Sequence, residues 1–132
     1  MQKIEHIGIA VKNIKASIPL FETLLNTNCY KTETVASENV ETAFFACGNS
    51  KIELLQSHND DSAIAKFIDK RGEGMHHIAF LVEDIISEID RLKAAGFVFI
   101  NDIPKLGADN KLICFLHPKA TNGVLIELCQ ER

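Results

Sequence analysis

At 132 residues, with 46% apolar and 24% charged side chains, the chain has the size and composition of one globular domain. Its net charge of −4 argues against a nucleic-acid partner, which favours a basic excess, and leaves any anionic ligand to be met by local lysines or arginines. No apolar run approaches the roughly 20 residues that span a bilayer, and the first residues lack a basic-then-apolar leader.

Cys29, Cys47, Cys114 and Cys129 form no C-x-x-C pair and read as small buried hydrophobes of a cytoplasmic protein. Residues 4–11 alternate and predict a first strand. Lys12-Asn13 then offers an N-cap, and Ile14, Ile18, Phe21, Leu24 and Leu25 keep helical spacing. Pro19 lies inside that pattern, which predicts an irregular first turn and a main helix over about 17–26. Residues 29–36 are β-rich but weakly patterned, 40–47 predict a firmer strand, and Gly48-Asn49 turns the chain into another over 51–56.

A polar loop (57–62) and a short helix (63–70) follow, ending in the hinge-like Arg71-Gly72-Glu73-Gly74. The pattern then restarts with a strand over 74–82. Glu83-Asp84 caps a helix carrying Ile85, Ile86, Ile89, Leu92 and Lys93, with Gly96 as its stop. A strand over 97–100, a loop through Pro104 and Gly107, and strands over 111–117 and 124–130 complete the chain. Both halves read β-α-β-β-β, an internal duplication of about 60 residues. The expected architecture is α+β: a single domain of two βαβββ modules, about 3–57 and 75–131, joined by a linker helix within about 58–74.

The halves also share a phrase. Glu5-His6-Ile7-Gly8-Ile9-Ala10-Val11 recurs as His76-His77-Ile78-Ala79-Phe80-Leu81-Val82, and Ile52-Glu53-Leu54 recurs as Ile126-Glu127-Leu128. Successive side chains on a strand take opposite faces. Ile7, Ile9 and Val11 therefore share the helix-covered face, and His6, Gly8 and Ala10 share the other. The same phase puts His77, not His76, on the face equivalent to that of His6. Glu53 and Glu127, each between inward-packing apolar residues, also take that face. Burying such a carboxylate without a partner costs several kcal/mol. Two histidines and two glutamates matched in type, phase and repeat position predict a divalent metal site. That donor set suits Zn, Co, Ni, Mn or Fe(II) without choosing among them, and the ion would act as a Lewis acid toward a carbonyl oxygen.

These motifs, with Asp61-Ser62-Ala63-Ile64-Ala65-Lys66-Phe67-Ile68, Arg71-Gly72-Glu73-Gly74-Met75-His76-His77 and Phe115-Leu116-His117-Pro118-Lys119, resemble the vicinal oxygen chelate superfamily. Within it the chain is similar to the methylmalonyl-CoA epimerases. The resemblance implies a glyoxalase-like fold, a curved mixed sheet around a metal cleft, and one divalent ion per chain (Co, Zn, Mn, Ni or Mg) held by His6, Glu53, His77 and Glu127. It further implies interconversion of (R)- and (S)-methylmalonyl-CoA through an enolate. On the same resemblance Glu127 is the candidate that doubles as ligand and base, and a homodimer acting on an acyl-CoA is implied. Inversion needs a base on each face of the planar intermediate.

Some family members carry a glutamate where this chain has Thr42, and the neighbouring Glu41 points to the other face unless a bulge shifts the phase. A second departure is Lys105-Leu106-Gly107-Ala108-Asp109-Asn110-Lys111, where the family usually reads Gly-Ala-His-Gly. Lys105, Lys111 and Lys119 are candidates to meet a carboxylate or CoA phosphates, and each reads equally as a solvated surface lysine. His117 before Pro118 reads either as a group behind the site or as the cap of a strand end. The same residues leave two other functions open: a glyoxalase I-like isomerase, or a non-catalytic small-molecule binding protein on the same fold.

Overall fold

The computed structural model describes all 132 residues, with eight strands and three α-helices, an α+β protein. The chain divides into two compact units, His6–His76 and His77–Arg132, the latter joined by Met1–Glu5.

The first unit contains most of β1 (Lys3–Ala10), then α1 (Ile14–Leu25), β2 (Lys31–Val35), β3 (Val40–Cys47), β4 (Ser50–Ser57) and α2 (Ala63–Arg71). Its strand order is β2-β3-β4-β1, with β1 parallel to β4 and the other pairs antiparallel. Gly48, at φ +60, makes the turn between β3 and β4. Helix α1 covers one sheet face. Ile14, Ile18, Phe21 and Leu25 pack there on Ile9, Val11, Ala43, Phe45 and Leu54. Phe45 and Leu54 are fully buried, each worth about 1.5–3 kcal/mol of transfer free energy.

The helix is more regular than Pro19 predicts: it starts at Ile14 and runs through the proline. The missing amide would have met the carbonyl of Lys15. Lys15 and Pro19 are both exposed, so water can satisfy that carbonyl.

The second unit holds most of β5 (Gly74–Leu81), then α3 (Ile85–Ala94), β6 (Phe99–Leu106), β7 (Lys111–Leu116) and β8 (Ile126–Glu131), in the order β5-β8-β7-β6. Here β5 is parallel to β8 and the remaining pairs are antiparallel. Gln2 N–H donates to the Leu81 carbonyl at 2.8 Å, tying the first residues to this unit. Val82, Ile85, Ile89 and Leu92 pack on Cys114, Leu116 and Leu128. Strand β6 extends well past the predicted 97–100 and includes Pro104. It is an edge strand whose register slips on both sides of Asn101, the setting in which a residue without an N–H is accepted.

The duplication is visible in the hydrogen bonds. Asn13 and Asp84 cap α1 and α3 by accepting from Ala16 and Ser87. Gln56 Oε1 on β4 accepts the Ile14 amide at 2.7 Å, and Gln130 Oε1 on β8 accepts the Ile85 amide at 2.7 Å. Val11 donates to Leu55 and Val82 donates to Cys129, each at 2.9 Å. Each helix start is thus fastened to the last strand of its own module, which fixes where the first strand must end. No helix is long and apolar enough to cross a membrane.

Candidate active site

In the first unit β1 lies in parallel register with β4, Gly8 opposite Glu53 and Ala10 opposite Leu55. These residues take the face away from α1. His6 Nδ1 stands 3.1 Å from Glu53 Oε2, with both side chains about 95% buried. Phe44 of β3 sits directly opposite Glu53 and has no exposed surface. Thr42 is on the same face, opposite Leu55 of β4 and Glu33 of β2. Lys31 Nζ lies 4.6 Å over the Phe44 ring and 3.6 Å from Glu33 Oε1.

The second unit repeats the arrangement. Ala79 of β5 and Phe115 of β7 both stand opposite Glu127 of β8. His77 Nε2 is 3.3 Å from Glu127 Oε2, again with both side chains about 95% buried. The Phe115 ring meets His77 edge-on at 5.7 Å, which holds the imidazole plane. Ala79, Ile113 and Cys129, with Leu81, fill in around the pair. His76 turns the other way, onto Phe67 of α2, ring centroids 5.0 Å apart at 82°. Burial, and then the Arg71 charge, lower its pKa to about 4, so it is uncharged at neutral pH.

Each pair fits a divalent ion. Two donors about 2.1 Å from one ion lie about 3.0 Å apart at a right angle and about 3.4 Å apart at the tetrahedral angle. The observed 3.1 and 3.3 Å fall within that span. Imidazole nitrogen and carboxylate oxygen suit first-row divalent metals. Either glutamate would also be a costly group to bury alone.

The remaining predicted residues separate. Lys111 is buried on β7, in phase with Ile113 and Phe115, and its Nζ is 3.1 Å from Asp109 Oδ2. Lys105, half-buried on β6, stands opposite Ile113. The loop between these lysines carries two successive left-handed residues, Asp109 (φ 57°) and Asn110 (φ 55°). Asparagine and aspartate tolerate that region better than other side chains. His117 and Lys119 are exposed in the turn after β7, where His117 Nδ1 accepts the Lys119 amide at 3.1 Å. Strand phase and repeat matching of the polar residues overlook Phe44 and Phe115. Their separation of 71 residues, equal to that of His6 and His77, is the signal that marks them.

Residues 5–115 match the Glyoxalase/Bleomycin resistance protein/Dioxygenase superfamily. The ethylmalonyl-CoA/methylmalonyl-CoA epimerase of Cereibacter sphaeroides is 38% identical over 130 residues, 97% of each chain. Among solved structures, the methylmalonyl-CoA epimerase of Mycobacterium tuberculosis has a TM-score of 0.93 at 31% identity, covering 98% of this chain and 87% of that one. A variant of the Streptomyces coelicolor methylmalonyl-CoA epimerase, in complex with 2-nitronate-propionyl-CoA, has a TM-score of 0.92 at 31% identity, covering 99% and 95%. The chain belongs to the glyoxalase/bleomycin resistance protein/dioxygenase superfamily, in the branch that holds the methylmalonyl-CoA epimerases.

Proposed function

We propose that this protein is an isomerase that interconverts the (R) and (S) forms of methylmalonyl-CoA by moving the proton on C2. The observation that carries the reading is the buried His–Glu pair, present once in each unit at ion-binding spacing. Full-length similarity to epimerases of malonyl-type thioesters selects the substrate class.

On this reading His6 with Glu53, and His77 with Glu127, are the residues that would hold a divalent ion. Bound there, it supplies Lewis acidity toward the thioester carbonyl oxygen. The Glu127 carboxylate removes or returns the C2 proton on one face of the substrate. Phe115 keeps His77 oriented, and Phe44 and Phe115 flank the two glutamates with apolar surface, which excludes water from the proton-transfer region. Lys105, and Lys111 beside its partner Asp109, are the candidate cations for the anionic parts of the substrate. The protein works as a homodimer in the cytoplasm, where its four free cysteines stay reduced.

The test is to follow C2 of methylmalonyl-CoA in heavy water with protein carrying one equivalent of divalent metal. Deuterium should enter C2, and either pure epimer should give the mixture. Failure to exchange this substrate, together with turnover of a glutathione hemithioacetal, would replace the reading by a glyoxalase-type isomerase.

A further inference from the structure

Helix α1 lacks the charged outer face that its repeat carries. Ile14, Ile18, Phe21 and Leu25 turn one side of it onto the sheet. At about 100° per residue the opposite side is Ala16, Pro19, Leu20, Thr23 and Leu24, all of them exposed. Leu20 is 65% exposed and Leu24 70%. The offset of the duplication, Asn13 to Asp84, maps these five onto Ser87, Asp90, Arg91, Ala94 and Ala95 of α3 and its C-cap. There the outer face is charged, and Arg91 pairs with Glu88 at 2.8 Å. Both helices have the same cap, the same covered face and the same fastening to a strand, so the fold itself does not call for an apolar outer face. A lone exposed leucine is ordinary. An uncharged stripe with two leucines, on the helix whose duplicate is charged there, marks a contact surface.

The charges beside the stripe select its partner. Lys15 lies in the first turn of α1 and Glu22 in the last, on one flank, each at the end of the helix dipole that disfavours it. In α3 the order is the favourable one, with Glu88 in the first turn and Arg91 and Lys93 in the last. Glu22 is held in place, its Oε2 accepting the Cys29 amide at 2.9 Å. Two copies of α1 packed antiparallel about a two-fold axis near Leu20 bring equal flanks together. Lys15 of each copy then faces Glu22 of the other, and each charge meets the helix end that favours it. Ala16 lies over Thr23 of the second copy, and the Leu20 side chains meet at the axis. A parallel pair would join unlike flanks and leave both charges unmatched.

We infer that the outer face of α1 is the surface through which two copies of this chain associate, with the two helices antiparallel. This gives a surface to the homodimer of the proposed function and uses none of the epimerase chemistry. Five side chains offer less than the roughly 800 Å² per partner of a standard interface, so the dimer should dissociate on dilution.

Sedimentation equilibrium over a range of concentrations, with Tm alongside, tests it. Wild type should pass from monomer to dimer as its concentration rises. Leu20→Glu should weaken association about 100-fold or more, because each dimer loses two covered leucines and gains two facing carboxylates. Leu24→Glu should act in the same direction. Arg91→Glu, at the repeat position of Leu20, should associate as wild type does. Lys15→Glu should weaken the dimer several-fold, and adding Glu22→Lys should recover it. On mild oxidation Leu20→Cys in Cys47→Ser protein should cross-link as a dimer, and Arg91→Cys in the same background should not. Wild type that stays monomeric at every concentration, or dimers that Leu20→Glu and Leu24→Glu leave intact, would overturn the inference. Charge reversal without recovery, in protein of wild-type Tm, would overturn the antiparallel arrangement. Isotope exchange at C2 is read separately: a protein that associates in this way but does not exchange loses only the epimerase reading.

Discussion

Replacing His77 by alanine in chelator-treated protein should be far more destabilising than replacing its neighbour. The His77 side chain is one of a pair in which both members are about 95% buried, so its loss leaves the Glu127 carboxylate without its imidazole. Removing one member of a buried pair costs about 3–5 kcal/mol, most of it the burden of the charge left behind. His76 is half-buried, uncharged at neutral pH and in edge-on contact with the Phe67 ring, a contact worth about 1 kcal/mol. For 132 residues the unfolding entropy is about 0.28 kcal/mol/K, so 1 kcal/mol corresponds to about 3.6 °C. His77→Ala should therefore lower Tm by about 11–18 °C, and His76→Ala by about 4 °C. Scanning calorimetry of the metal-free proteins reads the difference. Isothermal titration with a divalent metal should find His77→Ala defective and His76→Ala competent. The double replacement His77→Leu with Glu127→Leu should recover most of the lost stability, since apolar groups can replace a buried pair. A His76→Ala protein as unstable as His77→Ala, or a double variant less stable than His77→Ala, would refute the assignment.

Gly107→Ala should cost about 1–3 kcal/mol by denaturant unfolding, because the added Cβ meets Ile113 Cδ1 at 2.6 Å, and Ile113→Val should recover part of it. Native-state alkylation at pH 8 should label exposed Cys47 and spare Cys114, whose thiol is pushed up to about 12 by burial and by the Glu127 and Asp102 charges. Labelling of Cys114 at the rate of Cys47 would contradict the packing of that core. The Asp84 carboxyl is held below its ordinary value by hydrogen bonds from Ser87, so its contribution to the α3 cap is present above that ordinary value and fades as pH falls through the lowered one. Any stability advantage of wild type over Asp84→Asn should accordingly shrink between pH 7 and pH 3 in thermal melts; a gap independent of pH would contradict it.

Much of the candidate site's geometry is legible in the amino-acid sequence. The repeat and the two-residue period of strands select His6, Glu53, His77 and Glu127 and set His76 aside, because side-chain phase is a local property of an extended chain. The helix starts are legible for the same reason: Asn13 and Asp84 cap through amides three residues away. Errors arise where a local rule meets a tertiary context. Pro19 predicts a disturbed helix start, but its lost hydrogen bond falls on the solvent side of α1. Pro104 predicts a loop, but an edge strand has no outer neighbour to miss the amide.

The duplication, the class of fold, the chemistry of the donor set and the choice between adjacent histidines are therefore properties of the amino-acid sequence. They depend on residue type and on periods of two and 3.6, which any stretch of chain carries with it. Strand order and register belong to the tertiary structure, because pairing partners far apart in sequence are selected by the packing of whole faces. Only that register puts Phe44 and Phe115 against the two glutamates, turns Glu41 away, and pairs Thr42 with Glu33.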